Sequence, residues 1–106
     1  MAAALKGDFL TTGPLVETFE TAFAAKVGAA HAVACSNGTA ALHLAMMALK
    51  VGPGDVCIAP SITFLATANC ARYVGAEVVF ADVDPNTGLM TPYTLKDAIG
   101  RVKSGR

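Results

Sequence analysis

Cys35-Ser36-Asn37-Gly38-Thr39-Ala40-Ala41-Leu42 is the passage in which a short run, apolar after His31, turns sharply into a helix. Ser36 or Asn37 can cap that helix, Gly38 lets the backbone come close to a ligand, and Thr39 adds a hydroxyl. The first N–H groups of a helix have no partner inside it, and the macrodipole favours an anion there by roughly 0.3–1 kcal/mol when exposed. A phosphate or carboxylate suits such a start. The octamer also satisfies a plainer account, a tight turn with an ordinary cap.

Upstream, Pro14 suits a first helical position, and Val16, Phe19, Phe23 and Val27 recur at three- and four-residue steps. This predicts an amphipathic helix ending at Gly28, a residue fitted to the left-handed position after a helix. Met1 to Leu5 reads as the end of a helix stopped at Gly7, and Ala30 to Cys35 reads as a strand. Downstream, the helix from about Thr39 to Leu49 is apolar nearly all round, which predicts an interior position or a subunit contact. Gly52-Pro53-Gly54-Asp55 is turn chemistry, and Val56-Cys57-Ile58-Ala59 is a continuous apolar run of the kind found in parallel strands covered on both faces.

The pattern then repeats. A helical segment from Leu65 to Tyr73 ends at Gly75, a third strand covers Glu77 to Ala81, and Asp82 to Gly88 is a turn. The acids Asp82 and Asp84 lack the further oxygen ligands of a calcium loop, so a hydrogen-bonded turn is the reading adopted. Thr91 and Pro92 open a last short helix with Leu95, Ala98 and Ile99 on its apolar face. Residues 1–13 are thus an approach, 14–99 alternate helix with strand, and 100–106 are a truncated tail.

Hydrophobic residues make up 54% of the 106-residue chain and charged ones 15%, against about 45–50% and about 25% in ordinary domains, which points to a missing partner surface. Eight basic and eight acidic residues balance, so charge predicts neither nucleic-acid binding nor attraction to a membrane. Cys35, Cys57 and Cys70 lack metal or disulfide spacing and are expected to be buried thiols of a reducing compartment. His43 has no second ligand at metal-binding spacing, and the N-terminus does not look like a signal peptide. A cytoplasmic location follows.

Strands alternating with helices imply an α/β fold with a mostly parallel sheet and helices on its faces, whose ligands gather at the carboxyl ends of the strands. Ser36 to Thr39 and Pro60 to Phe64 are expected there, so a phosphate at the first turn would carry a flat ring toward Phe64 at the second. Neither G-x-x-x-x-G-K-[ST] nor G-x-G-x-x-G occurs, which removes the usual nucleoside-triphosphate and dinucleotide readings.

Thr11-Thr12-Gly13-Pro14 with Phe19-Glu20, Ser36-Asn37-Gly38-Thr39-Ala40-Ala41-Leu42, Pro60-Ser61-Ile62-Thr63-Phe64 with Ala66-Thr67, and Phe80-Ala81-Asp82-Val83-Asp84 together resemble the DegT/StrS-type sugar aminotransferases, pyridoxal-phosphate enzymes of fold type I. The resemblance covers almost the whole chain and implies an N-terminal fragment of the large domain. It implies that Gly38 and Thr39 hold the phosphate of pyridoxal 5'-phosphate, that Phe64 stacks on its ring, and that Thr11, Thr12 and Gly13 line the substrate side. It also implies a homodimer, and an amino group passed from glutamate to a nucleotide-linked 4-keto or 3-keto sugar. In the family, the lysine that links to the cofactor and the acid that pairs with its ring nitrogen lie downstream of the matched region. Lys6, Lys26, Lys50, Lys96 and Lys103 match no such position, so the chain by itself is expected to be inactive. A sugar dehydratase of the same family, a non-catalytic truncated product and a stand-alone phosphate-binding module are the alternatives.

Overall fold

The computed structural model describes residues 4–105. The chain divides into two compact units, Met1–Ser36 and Asn37–Arg106.

In the first unit a 3-10 turn over Ala4–Lys6 precedes helix α1, Pro14–Val27. The expected helix end over Met1 to Leu5 lies partly outside the described residues. Pro14 occupies the first turn of α1, and Gly28 closes the helix at φ 70°, its N–H turned back to the carbonyls of Ala24 and Ala25. Glycine takes this left-handed conformation without the steric cost a side chain would add. Phe19 and Phe23 stack with ring centroids 5.8 Å apart, and Ala24 is the buried residue of the helix. The expected strand over Ala30 to Cys35 does not form: residues 31–35 are irregular, and the Ala34 N–H donates to Glu20 Oε1 at 2.6 Å. A strand exists only through ladder bonds to a neighbour, and here a local carboxylate takes the amide instead.

The second unit contains α2 (Gly38–Ala48), β1 (Val56–Pro60), α3 (Ala66–Tyr73), β2 (Glu77–Ala81) and α4 (Pro92–Lys103). Among the described residues the sheet therefore has two strands where three were expected. β1 and β2 are parallel, with Val56 opposite Glu77 and Pro60 opposite Ala81, and α3 makes the crossover between them. Helices α3 and α4 each pack on both strands and not on one another, so they cover opposite faces; α2 packs on α3. This is an α/β arrangement.

Small residues make the core. Ala59, Ala66, Ala68, Cys70, Ala71, Ala76, Ala81 and Ala98 are buried in this unit, whereas Leu44, Met47, Leu49, Phe64 and Tyr93 are exposed. Alanine faces let helices and strands approach closely, but each buries little apolar area, at about 25 cal/mol per Å². No residue of α2 is buried, so the expected interior position of this helix is not met within the described residues. His43 on α2 lies against Tyr73 of α3, ring centroids 5.3 Å apart.

Turn chemistry is local and matches the sequence. Asp84 Oδ1 accepts from the Asn86 and Thr87 N–H groups, and the Gly88 N–H donates to the Asp84 carbonyl at 2.8 Å. Thr91 and Thr94 form a reciprocal capping box at the start of α4. That helix runs to Lys103, past the expected end near Ile99, and in its last turns the Arg101 guanidinium pairs with Asp97. The cysteines need correction: Cys70 is buried, but Cys57 is half-buried and Cys35 exposed.

Candidate functional site

Helix α2 begins on an extended Asn37 whose side chain accepts from the Ala40 N–H at 2.9 Å, while its carbonyl accepts from Ala41. One of the orphan donors of the first turn, that of Ala40, is thereby used, the Ala41 bond being the first regular bond of the helix, and the amides of Gly38 and Thr39 belong to the set a helix leaves unbonded within itself. A Cβ built on Gly38 would meet nothing within 4 Å, and its φ is not positive. Neither crowding by neighbouring groups nor backbone conformation within the described residues therefore calls for glycine here.

Phe64 follows β1. Its turn is held by the Ser61 N–H on the Ala81 carbonyl at 2.8 Å, by the Thr63 and Thr67 hydroxyls 2.9 Å apart, and by the Thr67 N–H on the Phe64 carbonyl at 2.9 Å. The backbone is fixed by both the sheet and α3, yet the phenyl ring is 78% exposed. A large apolar ring held out on a rigid turn offers a flat face to a ligand.

Gly38, Thr39 and Phe64 border one open groove of about 530 Å³, completed by Ala41, Leu42 and Ala66. Thr39 and Phe64 also border a smaller one of about 220 Å³ with Leu65, Ala66, Asn69 and Tyr73. The three residues expected to hold a phosphate-bearing ring are thus brought together. Leu42, Asn69 and Tyr73 were not anticipated, although Leu42 stands one helical turn after Thr39, and Asn69 and Tyr73 are four apart on α3. No charged side chain borders either groove among the described residues, so any anion would be held by backbone amides and hydroxyls.

Thr11, Thr12 and Gly13 belong to the first unit, where they line a groove of about 280 Å³ with Phe9, Leu10 and Val16. Thr12 has φ 49°, a left-handed conformation uncommon in a β-branched residue. At Gly13 a Cβ would fall 2.5 Å from the Phe9 Cβ, so close approach of that side chain requires glycine. Among the described residues no His, Cys, Asp and Glu group could hold a metal ion, and no helix is long and apolar enough to cross a membrane.

Residues 1–105 match the profile of the DegT/DnrJ/EryC1/StrS aminotransferase family. The chain belongs to that family. It is 51% identical over 77 residues to GDP-perosamine synthase of Caulobacter vibrioides, an alignment covering 73% of this chain and 21% of that protein. It is 48% identical over 95 residues to the spore coat polysaccharide biosynthesis protein SpsC of Bacillus subtilis, covering 90% of this chain and 24% of SpsC. In structure it superposes, with a TM-score of 0.84 and 32% identity, on Spr1654 of Streptococcus pneumoniae, a candidate sugar aminotransferase, over 92% of this chain and 24% of that one. The chain spans about a quarter of the length of these relatives.

Spr1654 has been solved in apo, PMP and PLP forms, and pyridoxal 5'-phosphate is the cofactor of the complete enzymes of this family. The DegT-family chain fits such a group on its own geometry. Open space at Gly38, the adjoining α2 amides and the outstanding Phe64 ring are what a phosphate attached to a flat heterocycle needs.

Proposed function

We propose that the complete protein transfers an amino group from glutamate to a nucleotide-linked 4-keto or 3-keto sugar with pyridoxal phosphate, and that this chain supplies the phosphate cup and the stacking ring. The names of the sugar-pathway relatives support the substrate class. The observation that carries the reading is the groove shared by Gly38, Thr39 and Phe64, at which a glycine stands without a conformational or steric reason of its own.

When bound, pyridoxal phosphate withdraws electrons from the carbon that bears the amino nitrogen. The chain's own residues bind and orient. The Gly38 and Thr39 amides and the Thr39 hydroxyl hold the phosphate, with the α2 dipole behind them. Phe64 fixes the plane of the ring from one side, and Leu42 and Ala66 keep water from its edge. Thr11, Thr12 and Gly13 take the substrate side, in a protein that works as a cytoplasmic homodimer.

Gly38→Ala tests the reading in the complete protein. The added methyl has room in the absence of ligand and favours the helix, so thermal stability without cofactor should hold or rise slightly. Pyridoxal-phosphate affinity should fall by about 1 kcal/mol or more as the phosphate is pushed off the amides. With nitrogen-15 glutamate and a keto-sugar nucleotide, the wild-type protein should deliver the label to the sugar by mass spectrometry. Unlabelled sugar, with unchanged cofactor affinity in the variant, would overturn the proposal.

A further inference from the structure

Helix α2 carries Gly38 and Thr39 at its start, whereas Phe64 is tied to α3, since the Thr67 N–H donates to the Phe64 carbonyl and the Asn69 N–H to that of Leu65. The spacing of phosphate cup and ring is therefore the spacing of two helices. Of the elements of its own unit α2 packs on α3 alone, and among the described residues no hydrogen bond or ion pair joins residues 38–48 to residues 66–73.

The far end of α2 is the better fixed. A Cβ added at Gly75, just past α3, would meet Pro53 Cγ at 3.2 Å, so the loop that follows α2 is seated against the end of α3. From there back to Thr39, α2 is a lever of roughly 15 Å at about 1.5 Å per residue, and a tilt of about 5° would move Thr39 by about 1 Å. A misplacement of that size can cost about a hundredfold where two groups must meet one ligand. Beside Thr39 the seam between the helices is open, as the smaller groove bordered by Asn69 and Tyr73. One helical turn after Thr39, the half-buried His43 ring lies against that of Tyr73, centroids 5.3 Å apart and planes tilted by 56°. Tilted ring pairs at this separation attract beyond the area they bury.

We propose that His43 and Tyr73 form a latch across the α2–α3 seam, positioning residues that hold the Gly38–Thr39 cup at the distance from Phe64 required by a single ligand bearing both a phosphate and a flat ring. The inference rests on the cofactor reading, and the pair acts on the ligand only through Thr39 and Phe64.

Three probes without an aldehyde separate the spacing from its parts in the complete protein. Pyridoxine 5'-phosphate spans cup and ring, inorganic phosphate engages the cup alone, and pyridoxine the ring alone. The wild-type protein should bind pyridoxine 5'-phosphate at least about a hundredfold more tightly than pyridoxine. His43→Ala should weaken pyridoxine 5'-phosphate by about tenfold while phosphate and pyridoxine stay within about twofold, because each half of the site is intact and only their register is lost. Tyr73 is exposed, so Tyr73→Ala is the milder truncation; it should do the same, and the double variant no more than either alone. His43→Phe and Tyr73→Phe, which keep a ring on each side, should bind all three probes as the wild type does. Equal loss of all three probes in the alanine variants would make the pair a packing contact of the fold, no loss of any would make it incidental, and a loss that persists in His43→Phe would assign the effect to the imidazole's hydrogen bonds; each overturns the latch. Wild-type protein that binds pyridoxine 5'-phosphate no better than pyridoxine would instead overturn the cofactor reading, and this proposal with it.

Discussion

Thr39 at the start of α2 and Phe64 beyond the end of β1 both border the two grooves described above, a side they share with Ala66. Their positions are set independently, Thr39 by the Asn37 cap and Phe64 by the Thr67 N–H on its own carbonyl in a turn that the Ser61 N–H anchors to the Ala81 carbonyl. Replacing either side chain should therefore leave the backbone of the other in place.

For Phe64 this separates binding from folding. The ring is largely solvent-exposed, so Phe64→Leu removes a flat face without opening a cavity. Cofactor affinity in the complete protein should fall by about 0.5–1.5 kcal/mol, with the melting temperature of the cofactor-free form unchanged. An equal loss in both measurements would make Phe64 a packing residue.

Thr39→Val keeps the shape of the side chain and deletes its hydroxyl. Loss of a hydrogen bond to a charged phosphate should weaken pyridoxal-phosphate binding by about 1–2 kcal/mol in a fluorescence titration. Unchanged affinity would mean that the hydroxyl faces elsewhere.

Much of this region was legible because its signals are local. Pro14 and Gly28 bound α1, Asn37 caps α2, Thr91 and Pro92 open α4, and Asp84 organises its turn, each through atoms within four residues of the signal. The meeting of Gly38 and Thr39 with Phe64 was anticipated from the strand–helix alternation, although the strand expected before Gly38 does not form. What failed depends on distant chain. Apolar character at Ala30 to Cys35 specifies that a strand is favourable, but pairing needs a neighbour, and the Glu20 carboxylate takes the Ala34 amide first. Burial of Cys35 and of α2 fails for the same reason, since hydrophobicity says that a surface seeks cover and not where the cover lies. Nor could the sequence show that Gly13 is required by Phe9, a contact fixed by the fold of the approach.

That contact gives a prediction about stability. Gly13→Ala would put a methyl group 2.5 Å from the Phe9 Cβ, well inside contact distance and against an atom next to the backbone, which cannot swing away. The approach before α1 must shift, at a cost of about 1–3 kcal/mol. Thermal unfolding of the complete protein should register the loss, and Phe9→Ala, which leaves that Cβ in place, should not rescue it. Phe9→Gly should.

The cysteines supply the last prediction. Cys35 is exposed, Cys57 is half-buried, and Cys70 is buried with its thiol directed at the Thr67 carbonyl at 3.2 Å. Burial raises the pKa of Cys57 above its ordinary value, with smaller contributions in the same direction from Cys70 and Asp55. Because the thiolate is the reactive form, a raised pKa lowers its fraction at any pH below that value, and modification of Cys57 should gain rate only as the pH climbs into the alkaline range. Alkylation of this chain followed by peptide mass spectrometry should therefore label exposed Cys35 first, half-buried Cys57 later, and buried Cys70 last. In Asp55→Asn the Cys57 profile should move to lower pH, because a negative charge that disfavours the thiolate is gone. A Cys57 rate that had already levelled off at neutral pH would show that the β1 thiol is open to solvent and that burial by the sheet does not control it.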